Sequence, residues 1–186
     1  NIGYFLFFWL YDGLGICEVL NLHKSRTKRE YDINGLAKLL IFGRVLSPDS
    51  KIQTFNRKDG YVFDVTSSDQ LIEAYRALDV LDEKASAIQK RINSKIQSAV
   101  GRNTEACFYD VTNYFFEIDF PDEEGDRRRG VSKEHRIDPI IQMGLFIDGN
   151  GLPVSMSLFP GNTSETLTLQ PVMSEVKKAY GMQRLV

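Results

Sequence analysis

The apolar positions of this chain change their period near residue 105. Before that point they recur mostly at steps of three and four, the spacing of a helix face. The first segment, roughly 2–20, is densely apolar, with Gly13 and Gly15 interrupting it. A polar, basic connector follows, NLHKSRTKRE at 21–30. Leu36, Leu39, Leu40 and Phe42 predict a helix over 33–46. Ser47 and Pro48 read as the N-cap and first position of the next one. Ser67 with Gln70 three residues later fits a capping box, opening a helix with Leu71, Ile72, Tyr75 and Leu78 along one face. A further helix over about 82–98 spaces Ala85, Ile88, Ile92 and Ile96, and Gly101 is placed to end it.

After residue 105 the pattern turns strand-like. CFYDVTNYFFEI is rich in the aromatic and β-branched residues that strands prefer. A charged loop, DFPDEEGDRRRGVSKEHR at 119–136, separates it from a second strand over 138–148. DGNG at 148–151 is a hairpin turn signal, and LPVSMSLFPG at 152–161 is the third strand. Residues 162–181 predict a helix begun by Asn162 or Thr163 and stopped at Gly181, with Pro171 marking a break. MQRLV at 182–186 reads as the opening of a fourth strand. The expected division is a helical region over 1–104 and a β-β-β-α-β order over 105–186, an α+β or α/β chain.

Composition narrows the function classes only a little. The formal net charge of −2 gives no global basic field, so any nucleic-acid contact has to come from a local patch. Residues 1–100 carry 14 Lys and Arg against 12 Asp and Glu, and residues 101–186 carry 9 against 13. Two widely spaced cysteines, Cys17 and Cys107, offer no disulfide framework or zinc spacing, which fits a reducing cytosol. The apolar run at 2–11 is shorter than the roughly 20 residues a bilayer span requires, and it lacks the basic leader and small-residue cleavage site of a signal peptide. The aromatic run YFLFFW at 4–9 is expected to be helix core rather than a base-stacking surface. Asn1 is not an initiator methionine, so the start reads as internal or processed.

The candidate chemistry centres on Asp110. Strand alternation puts Phe108, Asp110, Thr112 and Tyr114 on one face. In so apolar a strand the carboxylate is expected to be partly buried, where it needs a compensating partner. A hard divalent cation would serve, because Mg²⁺ is held by one or two carboxylates with phosphate oxygens and water. Thr112 reads as structural and Glu117 as solvated.

YDVTNYFFE, followed by RGVSKEHRIDPIIQMGLFIDGNGLPVSMSLFPGNTSETLTL, resembles the DDE transposases of bacterial insertion sequences. The resemblance covers 105–186 closely, and about 30–105 more loosely through LLIFGRVLSPDSKIQTF and YRALDVLDE. It implies a ribonuclease-H-like catalytic domain in which two Asp and one Glu hold two Mg²⁺ ions, with Mn²⁺ as a substitute. It further implies cleavage of phosphodiesters at transposon ends, transfer of the 3′-hydroxyl to target DNA, a homodimer, and a cytoplasmic, nucleoid-associated location with no membrane partner. Asp110 matches the first catalytic Asp and metal ligand. In the family the second Asp follows a phrase that RLV at 184–186 looks like the start of, and the Glu lies in a later helix. The 186 residues alone are therefore expected to be inactive.

Arg127, Arg128, Arg129, Lys133, His135 and Arg136 concentrate positive charge in the loop after the Asp110 strand, as phosphate-backbone contacts require. The competing reading is a solvated loop offset by Asp122, Glu123, Glu124 and Asp126. Lys24, Arg26, Lys28 and Arg29 admit the same two readings. A different class remains open for the whole chain: a non-catalytic DNA-binding or inhibitory protein derived from a transposase. A nuclease or resolvase of the same fold is a third.

Overall fold

The computed structural model of the chain describes residues 3–61, 65–131, 137–164, 167–169, 173, 174 and 176. The chain divides into two compact units, residues 1–99 and 100–186. The first is helical and the second carries a three-stranded antiparallel sheet, so the protein is α+β.

The helical unit contains α1 (Gly3–Gly13), α2 (Ile16–Ser25), α3 (Ile33–Leu46), α4 (Lys51–Asn56), a short 3₁₀ turn (Lys58–Gly60), α5 (Leu71–Glu83) and α6 (Ala85–Val100). The break after α1 is set by Gly15, whose φ of 73° is left-handed and open to glycine at little cost. α2 runs on through 21–25, so half of the expected connector is helical. α3 occupies the predicted span, and Asp32 caps it by accepting from the Gly35 amide. Ile33, Leu36, Leu39, Leu40 and Phe42 are buried, with Tyr4, Tyr11, Leu20 and Phe55 packed into the same core.

Four local expectations need correction. α4 begins after Ser50, which accepts from the Gln53 amide, rather than after Ser47. α5 begins after Gln70, without a capping box, because the Ser67 amide is already engaged by the Asp32 carboxylate. The buried residues of α5 are Ala74, Ala77 and Val80, while Ile72 and Tyr75 face outward; small alanines allow close packing against neighbouring core residues where larger side chains would not. The aromatic run of α1 is also mostly outside the core, where Phe7 packs only in part. Tyr4 and Tyr11 are buried, whereas Phe5, Leu6, Phe8 and Trp9 are exposed. No single helix among the described residues is long and apolar enough to cross a membrane, and α1 and α2 are bent by 63° at their break.

In the second unit β1 (Phe108–Phe115), β2 (Ile140–Ile147) and β3 (Pro153–Pro160) lie in the order β1-β2-β3. Asp110 is opposite Leu145, which is opposite Met156. β3 begins and ends with proline. Residues 101–104 belong to this unit, because Arg102 and Asn103 bind the β2–β3 turn. Gly101, just after α6, has φ 73°, the left-handed residue expected at that helix end. Residues 167–169, 173, 174 and 176 are helical. The amides of Leu167 and Thr168 reach back to the Ser164 carbonyl, and Thr163 belongs to the preceding turn, so the helix starts later than expected. Pro171, Gly181 and the expected fourth strand lie outside the described residues.

One face of the sheet carries a compact core of Cys107, Phe146, Val154 and Val176, with Tyr109, Phe159, Leu169 and Met173 against it. The other face carries Phe108, Asp110, Thr112 and Tyr114, all exposed.

Candidate functional site

Asp110 lies in the first half of β1 and shares its face with Phe108, Thr112 and Tyr114, as alternation requires. Burial is where expectation and structure part. The carboxylate is exposed, because among the described residues the covered face of the sheet is the opposite one. Its surroundings are nonetheless apolar. Phe108 (50% exposed), Met156 (44%) and Leu158 (53%) lie on the same face, with Met143 and Leu145 between them in register. Asp110 is the only charged residue in the three strands FYDVTNYF, IIQMGLFI and PVSMSLFP.

The residues behind Asp110 fix the strand that carries it. Tyr109 points to the inner face, where its ring lies 4.6 Å from that of Phe146. Its hydroxyl donates to Thr168 Oγ1 at 2.9 Å, joining β1 to the helical segment beneath the sheet. Gly144 makes room for that ring: a Cβ there would sit 2.2 Å from the Tyr109 hydroxyl. Tyr109, Gly144 and Thr168 were not singled out in the sequence. A lone glycine inside a strand was the available signal, since it marks close approach of another group.

The β2–β3 turn is held as firmly. Asp148 is fully buried and accepts the amides of Asn150 and Leu152 through Oδ1. Its Oδ2 accepts from Arg102 Nη1 at 2.9 Å, and Arg102 also donates to the carbonyls of Leu152 and Pro153. Asp148 is thus the turn residue that the DGNG signal predicts, with a buried cation added. The arginine could not be assigned from sequence because it lies 46 positions away.

The loop after β1 spends much of its charge on itself. Arg127 makes a two-pronged contact with Asp122, 2.9 Å from Nε and 2.5 Å from Nη2. The hydrogen bonds from Arg127 hold the Asp122 carboxyl below its ordinary range. Arg128 donates to the Gly125 and Glu123 carbonyls, and Arg129 to the Asp119 carbonyl. The Arg128 backbone pairs with Ile140, which ties the loop to the start of β2. Arg129 stays exposed. Lys133, His135 and Arg136 lie outside the described residues.

Among the described residues, no group of three or more His, Cys, Asp or Glu is assembled to hold a metal ion. Comparison with protein-family models, with curated proteins and with solved structures gives no match.

Proposed function

We propose that the chain is the helical region and first part of the ribonuclease-H-like catalytic domain of a DDE transposase. Asp110 is its first metal ligand. The observation that carries this reading is the position of Asp110 as the one charged side chain of a three-stranded antiparallel sheet, on its exposed face, within the phrase YDVTNYFFE. The order of three strands followed by helical residues supports it.

The residue present suits the cation. Asp110 offers hard carboxylate oxygens on a solvent-reachable face, as Mg²⁺ or Mn²⁺ requires. Bound in a complete ligand set, two such ions would supply Lewis-acid stabilisation to the attacking and leaving oxygens of a phosphodiester displacement. The chain's own part is to present one fixed negative charge from a strand braced by Tyr109, Phe146 and Thr168. One carboxylate cannot fix two cations, so the reading requires further ligands besides Asp110. The DNA backbone is the partner, met in part through Arg129, the exposed arginine among the loop's described residues.

The test is nicking and strand joining on supercoiled DNA by the complete open reading frame, in Mg²⁺ and in Mn²⁺. Activity that disappears in Asp110→Asn, with an unchanged circular dichroism spectrum, supports the reading. Activity indifferent to Asp110→Asn, or no metal-dependent cleavage of any DNA, defeats it.

A further inference from the structure

His23, in the last turn of α2, is 8% exposed. Its Nε2 lies 2.7 Å from Arg29 Nη1, in the stretch between α2 and α3. A guanidinium only donates, so Nε2 must accept and the imidazole proton sits on Nδ1. Nδ1 is 4.0 Å from Glu83 Oε1, at the end of α5. Glu83 is itself 4.0 Å from Arg29 and 2.7 Å from Lys84. The imidazole therefore faces two permanent cations and one carboxylate that those cations already share.

We propose that His23 and Arg29 form an acid-released clasp on the basic connector between α2 and α3. A proton taken from solvent at Nε2 turns the acceptor into a donor facing another donor. The Arg29 hydrogen bond breaks, and a third positive charge joins Arg29 and Lys84 around Glu83. Burial lowers the pKa of His23; Glu83 opposes this, and Lys84 and Arg29 reinforce it. Because the folded pKa lies below the unfolded one, the contribution to stability is complete above about pH 6.5 and is lost as pH falls through the folded value. Opening releases the Arg29 guanidinium from His23 and leaves it the 4.0 Å ion pair with Glu83, on a connector that also carries Arg26 and Lys28.

The test uses the isotopically labelled 186-residue chain. Imidazole NMR should show His23 as the Nδ1–H tautomer at neutral pH, titrating below its unfolded value. Arg29→Gln should raise that pKa, because it removes a like charge and the donor that holds Nε2 as an acceptor. Hydrogen-exchange protection of the Arg26 and Thr27 amides should fall between pH 7.5 and pH 5. In His23→Gln it should not fall. An unmoved His23 pKa in Arg29→Gln, unchanged wild-type protection, or an equal fall in His23→Gln would each overturn the clasp. Should His23→Gln fail to fold, the Arg29→Gln titration decides.

Discussion

A methyl group on Gly144 would lie 2.2 Å from the Tyr109 hydroxyl and 2.8 Å from its ring, so Gly144→Ala has to displace the side chain that braces β1. Overpacking of this kind costs about 1–3 kcal/mol, measurable as a lower urea midpoint at constant slope. In a Tyr109→Phe background the added cost should be smaller, since the nearer of those atoms is gone. The buried Arg102–Asp148 pair gives a second residue-level expectation. Asp148→Ala strands a cation whose side chain is 4% exposed and removes the oxygen that accepts two amides, so it should lose about 3–5 kcal/mol in the same experiment. Arg102→Met should lose less, because Asp148 keeps the Asn150 and Leu152 amides. Equal losses from the two variants would show that those amides contribute little.

Among the elements, α3 and the approach to α5 depend on one side chain. Asp32 accepts from the Gly35 amide, the Thr66 hydroxyl and the Ser67 amide. Asp32→Ala should therefore destabilise the helical unit by about 2 kcal/mol, the upper end for a helix cap, with loss of protection at Gly35 and Ser67 in hydrogen exchange. The same contacts explain which parts of the fold were legible. The span of α3 could be read because Leu36, Leu39, Leu40 and Phe42 carry a period that local geometry imposes. The start of α5 could not, because Ser67 is a good cap by type and Asp32, 35 residues away, takes its amide. The strand alternation around Asp110 was legible as face-sharing. It could not say which face would be covered, since Phe108 and Tyr114 are as apolar as Tyr109 and Val111.

At the scale of the whole molecule, each unit draws its core from its own residues: Tyr4 through Val80 in the first, Cys107 through Val176 in the second. A fragment of residues 1–99 should keep its helical spectrum and melt cooperatively; a non-cooperative melt would mean that its core is insufficient alone. Among the described residues β3 lies at a sheet edge, and the prolines at both its ends shorten the row of amides it offers to another chain. The strand charge, finally, has a consequence in the language of inheritance. Both Asp codons become Asn codons through a single G-to-A transition. At Asp110 that change exchanges one exposed polar side chain for another of nearly the same shape, on the face opposite the packed core. A lineage can thus silence the one strand charge by a single base change and go on inheriting the sheet intact.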